Sequence, residues 1–242
     1  MRIKSFLLLA AVVSFIATSC QNGGLGKKAD LKTKVDSTSY ALGVLIAQQN
    51  KQSLDNIPGG KEINIELLSA AFYQVLKGDS ALFTPAKANE LVSNYFQKES
   101  EKISQKNLEA GNAYLEKNKA REGVKTTASG LQYEILKEGT GPKPVAEDMV
   151  KVHYHGTTID GKVFDSSVDR GEPAQFPVGG VIPGWVEALQ MMPVGSKWKI
   201  YLPANLAYGE RGAGQDIQPN SVLIFEVELL EILPKSAPEG KK

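Results

Sequence analysis

Two hydrophobic periods divide this chain. Between residues 36 and 122 apolar side chains recur every three to four positions, the spacing of one helix face; beyond Leu131 they alternate with polar ones, the spacing of a half-buried strand. The first helix is predicted over 37–51, with Asp36 or Ser37 as its cap and Ala41, Val44, Leu45 and Gln48 along one face. Pro58-Gly59-Gly60 marks a turn. A second helix is predicted over 65–77, capped by Asn64, striped by Leu68, Ala71, Phe72, Val75 and Leu76, and stopped by Gly78. The third opens at Thr84-Pro85, a cap followed by proline at the first helical position, and continues to about Lys119. Leu91, Val92, Tyr95 and Phe96 give it an early apolar face. The stripe then thins to Ile103, Leu108, Tyr114 and Leu115 among Glu, Lys and Gln, which predicts a helix bridging solvent. Gly111 weakens it modestly.

Four alternating sets follow: Leu131, Tyr133 and Ile135; Val150, Val152 and Tyr154; Trp198, Ile200 and Leu202; Phe225, Val227 and Leu229. They predict antiparallel strands with one face on a core. A short helix over 185–191 interrupts them after Pro183-Gly184. The expected fold class is α+β: a C-terminal antiparallel sheet around one short helix (126–234), preceded by an all-α region with a long linking helix (36–122).

The N-terminus changes this picture. Arg2 and Lys4 precede an apolar run over 6–17, too short for a comfortable membrane span, which closes on Ala17-Thr18-Ser19-Cys20. The pattern resembles a bacterial lipoprotein signal (1–19) cleaved before Cys20, whose thiol then carries lipid. The alternative is a plain secretory signal with an incidental cysteine. Cys20 is the only cysteine, which excludes an intramolecular disulfide. Residues 20–35 are polar and Gly/Lys-rich and read as a tether, and 235–242 as a disordered tail. A net charge of +1 makes no broad electrostatic case for nucleic acid. Two short amphipathic helices and one turn of apolar face make a poor core for one copy, so a homodimer through 36–96 is expected; the alternative is a monomeric helical cap.

The chemistry is concentrated between Gly156 and Gly184, where Gly-Thr-Thr-Ile-Asp-Gly-Lys-Val-Phe-Asp-Ser-Ser runs on to Val-Gly-Gly-Val-Ile-Pro-Gly-Trp. Tyr154 precedes it; Leu-Ala-Tyr-Gly (206–209) and Phe225 follow. Over about 110 residues, in order and spacing, this set resembles the FKBP-type peptidyl-prolyl cis-trans isomerases. Ser39-Tyr40-Ala41-Leu42-Gly43 and Gly130-Leu131-Gln132-Tyr133 resemble the macrophage infectivity potentiator subgroup, which has an N-terminal dimerisation region. The resemblance implies an apolar pocket with Trp185 as floor and Tyr154, Phe164 and Phe225 as walls. It implies Asp165 at the rim, held by Tyr154 and Arg170, with Tyr208 and the Ile182 N–H as donors and Phe176, Val181 and Ile217 completing the substrate contacts. It implies no cofactor or metal, proline-containing exported chains as partners, and a place in the cell envelope on the periplasmic side of the outer membrane, with soluble periplasm or cell surface as alternatives.

Each residue also has a plainer reading. An aromatic in a small domain is ordinarily core, Asp165 with Ser166 could cap a turn, and Arg170 could be a surface charge. His153 and His155 share one strand face at i and i+2, but no third ligand is apparent. The Gly-rich stretch 209–214 lacks the Lys-Ser/Thr of a phosphate loop, and no Gly-x-Ser-x-Gly occurs. The rival function is a binding module that keeps the fold and barely isomerises.

Overall fold

The computed structural model describes residues 29–234; the signal 1–19, Cys20 and the tail 235–242 lie outside them. The chain divides into two compact units, one ending at Asn50 and one beginning at Lys51. Helix α1 (Lys34–Asn56) runs past both expected ends and begins inside the stretch read as tether. Thr33 and Asp36 cause the early start. The Thr33 N–H donates to Asp36 Oδ2 at 2.8 Å and the Asp36 N–H to Thr33 Oγ1 at 3.0 Å, a reciprocal cap set before the expected one. Helix α2 (Ile65–Lys77) has the expected cap, Asn64 Oδ1 accepting from the Leu67 N–H at 3.0 Å. Gly78 ends it at φ 81°, which a side chain would strain. Thr84 caps helix α3 (Pro85–Lys119) through the Lys87 N–H.

Seven antiparallel strands follow: β1 (Lys125–Thr126), β2 (Gln132–Lys137), β3 (Met149–Thr158), β4 (Val163–Ser166), β5 (Ala174–Pro177), β6 (Lys197–Leu202) and β7 (Leu223–Leu233). Their order is β1-β2-β6-β7-β3-β4, with β5 also paired to β3. Helix α4 (Pro183–Met191) packs Trp185, Ala188 and Leu189 against the face that carries Val150, Val152, Tyr154, Ile200, Leu202, Phe225 and Val227. It starts at Pro183, two residues before the expected position, because proline fixes the φ of the first helical residue and needs no N–H partner there.

The opposite sheet face departs from the solvent-bridging reading of α3. At one corner it is buried too: Leu115 and Tyr114 of α3 pack with Tyr201, Val222 and Ile224. Buried Asn118 donates to Gln132 Oε1 at 2.8 Å, and Gln132 Nε2 donates to the Leu115 carbonyl at 2.9 Å. Arg121 donates to both Glu134 oxygens at 2.8 and 3.1 Å and to the Tyr201 hydroxyl at 3.0 Å, while that hydroxyl donates to Glu134. Burial, then the bond to Glu134, pushes the Tyr201 phenol well above its ordinary value. The docking stripe is Ser104, Asn107, Gly111, Leu115 and Asn118, at helical spacing but mostly polar or small, so an apolar-period search passes over it.

Gly111 is therefore a packing residue. A Cβ there would lie 2.6 Å from Val222 Cγ2, on a buried, branched side chain. On an exposed helix Gly→Ala gains about 1 kcal/mol. Here Gly111→Ala is expected to lose about 1–2 kcal/mol instead, read as a lower denaturant midpoint at unchanged slope.

Candidate active site

Strand β3 sets the site by alternation. Val152, Tyr154 and Gly156 face α4; His153 and His155 face the other way, where their Nδ1 atoms lie 3.1 and 3.0 Å from the Ser167 and Ser166 hydroxyls. Among the described residues no group of three or more His, Cys, Asp or Glu could hold a metal. Register places Gly156 opposite Phe225 and beside Asp165. That glycine is needed: a Cβ would meet Phe164 Cζ at 2.7 Å and Phe225 Cε1 at 2.9 Å, pushing both rings out of place.

The result is a hollow of about 600 Å³, ordinary for a small-ligand site. Trp185, 4% exposed, is its floor. Three rings stand on that floor at nearly right angles: Tyr154 (5.4 Å, 85°), Phe176 (5.8 Å, 83°) and Phe225 (5.2 Å, 85°). Phe164 continues the wall, edge to face with Phe225 at 5.4 Å. Perpendicular packing of this kind is favoured by the ring quadrupoles and fixes the cup's shape before anything enters it. Val181, Ile182 and Ile217 add aliphatic wall, and Tyr208, 40% exposed, stands at the rim. The Ile182 carbonyl accepts from the Trp185 and Val186 N–H groups of α4 (2.9 and 3.1 Å); its own N–H donates to no backbone carbonyl among the described residues.

Every described site residue expected from the sequence except Arg170 borders this one hollow; Cys20 lies outside the described residues. Arg170 stands behind it. Its guanidinium donates to Asp165 and, at 2.9 Å, to the Tyr154 hydroxyl, which itself donates to Asp165. Gly180, which the sequence did not point to, also lines the hollow, as do Ala213, Gly214, Gln215 and Asp216 of the loop 209–217, which the family resemblance places along one side of the pocket. Small and polar loop residues carry no periodic signal.

Burial works against the Asp165 carboxylate, but the hydrogen bonds from Tyr154 and Arg170, with the arginine's charge, hold it below the usual range. Burial, then the bond to Asp165, pushes the Tyr154 phenol above its ordinary value. A depressed carboxyl keeps its charge until pH falls through its lowered value, and a raised phenol keeps its proton until pH rises past about 10. Turnover is therefore expected to be flat between about pH 5 and 9, dropping only beyond those ends. A pH–kcat/KM profile with a step near neutrality would contradict this triad.

Residues 141–230 match the family described as FKBP-type peptidyl-prolyl cis-trans isomerase, and 35–135 match the domain amino terminal to it. FkpA of Aeromonas hydrophila, an FKBP-type peptidyl-prolyl cis-trans isomerase, is 41% identical, over 96% of this chain and 95% of that protein. The chain belongs to the FKBP-type peptidyl-prolyl cis-trans isomerases. Outer membrane protein MIP of Legionella longbeachae is 40% identical, over 84% of this chain and 87% of that protein. The crystal structure of FkpA from Escherichia coli superposes with a TM-score of 0.64 at 35% identity, covering 86% of this chain and all of that one.

An FKBP rotates a bond of partial double-bond character whose barrier is about 18–20 kcal/mol. No group or electron is transferred. The planar amide owes part of its stability to a charge-separated form that water favours and the twisted state lacks. An apolar cup such as that of Trp185, Tyr154, Phe176 and Phe225 would withdraw that favour from the planar state while leaving the twisted state nearly unaffected. A millionfold acceleration corresponds to about 8 kcal/mol of such differential stabilisation.

Proposed function

We propose that this isomerase acts on exported chains in a bacterial cell envelope, as a homodimer through residues 36–96 that also holds unfolded clients, and is anchored by lipid on Cys20. One observation carries the dimer: α2 has no buried residue within a single copy. On α2 Phe72 is 47% and Leu76 71% exposed, and the connection into α3 leaves Leu82 92% exposed. Exposed apolar area on this scale marks an interaction face, and a second copy presents the same face in return. Two hollows joined in this way could grip one client by avidity where the client spans both. The envelope reading is supported by the Ala17-Thr18-Ser19-Cys20 pattern and by likeness to a protein named for the outer membrane.

Sedimentation of the mature chain tests the assembly. The wild type is expected at twice the chain mass and Phe72→Glu/Leu76→Glu at the chain mass; a monomeric wild type overturns it. Holding of clients is expected to weaken in that variant while turnover on a short peptide does not. A chain lacking the residues before Thr126 that suppresses client aggregation as well as the full chain would refute the avidity role. Labelled fatty acid is expected in the wild type and absent from Cys20→Ser.

A further inference from the structure

The connection between β6 and β7 is a wall of the hollow built mostly from loop, and it carries Tyr208, Ala213, Gln215, Asp216 and Ile217 to the opening. Its internal hydrogen bonds give it a shape. Ala213 and Ile217 exchange backbone bonds at 2.8 and 3.1 Å, and the Asn220 N–H closes the neck on the Gly209 carbonyl at 2.8 Å. Those bonds do not fix where the loop stands over Trp185.

Helix α3 supplies that reference. Asn220 sits at φ 55°, the one non-glycine with positive φ among the described residues, and its Nδ2 donates to Ser104 Oγ on α3 at 2.8 Å. One turn along, Asn107 Nδ2 donates to the Pro219 carbonyl at 2.8 Å and lies 3.4 Å from Gln218 Oε1. One turn further, Gly111 admits Val222. The helix therefore grips only the neck. Nearer the tip a cleft of about 370 Å³ separates Lys106 and Asn107 from Gln215 and Asp216. The tip's other tether, the 2.7 Å Lys162–Asp216 pair, is half-exposed and holds weakly.

We propose that Ser104 and Asn107 are positioning residues of the isomerase: by holding Pro219 and Asn220 they set where Tyr208 and Ile217 stand over the bound proline. Neither touches substrate. Released from α3, the neck samples positions in which the wall is displaced, and apparent affinity falls in proportion to the competent fraction. The loss is one of binding rather than of saturated rate.

The test is a protease-coupled assay on proline tetrapeptides with the full chain. Two bonds of ordinary strength give Ser104→Ala/Asn107→Ala a KM raised about tenfold with kcat within about twofold. Ser104→Thr keeps the hydroxyl and is expected to retain the wild-type KM. Asn107→Asp, the same shape without a donor, is expected to do no better than Asn107→Ala. A double variant with a lower Tm and unchanged KM, or one that loses kcat alone, overturns the proposal. Because it rests on the hollow being the isomerase site, Asp165→Ala is run beside it. If that variant also turns over normally, the site assignment falls and takes the clamp with it. If Asp165→Ala alone loses turnover, the site stands and only the clamp falls.

Discussion

Gly184→Ala is expected to lower stability by about 3 kcal/mol and to remove most of the isomerase activity with it. An added Cβ would lie 1.7 Å from Leu202 Cδ2, 3.1 Å from Leu202 Cγ and 3.2 Å from the Leu206 carbonyl. Leu202 cannot retreat, because it is fully buried at the end of β6, opposite Leu223 of β7. Helix α4 must move instead, and the next residue on it is Trp185, the floor of the cup. The helix-propensity gain from losing a glycine is at most about 1 kcal/mol, so the clash decides the sign. In a chain of this size the loss corresponds to roughly 6–12 °C in Tm. The measurement is a thermal melt with a peptide turnover assay on the same sample. Leu202→Val removes the offending δ carbons, so Gly184→Ala/Leu202→Val should recover part of both losses, a coupling that independent sites do not show. A single variant that melts and turns over like the wild type would refute this account of how α4 is seated.

What was legible in the sequence was local. Asn64, Gly78 and Thr84-Pro85 are short-range signals, and the structure places the ends of α2 and the start of α3 on them. Alternation found β2, β3, β6 and β7, which have one fully committed face. Strands β1, β4 and β5, two to four residues long, contain too few turns of the pleat to show a period. The aromatic cup was legible only through family resemblance. Tyr154, Trp185 and Phe225 come from three elements, and nothing local says that their rings meet. The docked half of α3 was missed because its contact face is hydrogen-bonded rather than apolar. A signal was present on the other side of that contact. Val222-Leu223-Ile224-Phe225 is an unbroken apolar run where alternation should have inserted polar residues, and an unbroken run belongs to a strand covered on both faces. Ile224 and Tyr201 turn toward α3, while Phe225 and Leu202 turn toward α4. Gly111 and Gly156 read as weaknesses or spacers in a linear sequence. In three dimensions each marks a place where another side chain already fills the volume of a Cβ.

The cup's apolar lining makes its own prediction. Phe225→Ala is expected to cut kcat/KM about a hundredfold, or about 2.7 kcal/mol of transition-state stabilisation. The Phe225 ring touches the floor and the far wall at once, edge-on to Trp185 at 5.2 Å and to Phe164 at 5.4 Å. Without it the hollow opens beside the bound prolyl amide, and water re-enters where its exclusion disfavours the planar state. Phe164 loses its partner as well, so the wall that Gly156 makes room for slackens. Truncating a buried phenylalanine costs about 3–5 kcal/mol of stability in a closed core; here one side of the ring borders the hollow, and the cost should fall at the low end. Stability and turnover are separated by a second substitution. Phe225→Leu restores most of the apolar volume without the ring, so it is expected to recover stability almost fully and turnover to within about tenfold of wild type. The decisive comparison is kcat/KM for both variants at a temperature where each is folded by circular dichroism. Equal turnover in Phe225→Ala and wild type would mean that catalysis does not depend on excluding water at this wall, and the desolvation mechanism would have to be abandoned even though the fold and the family remained.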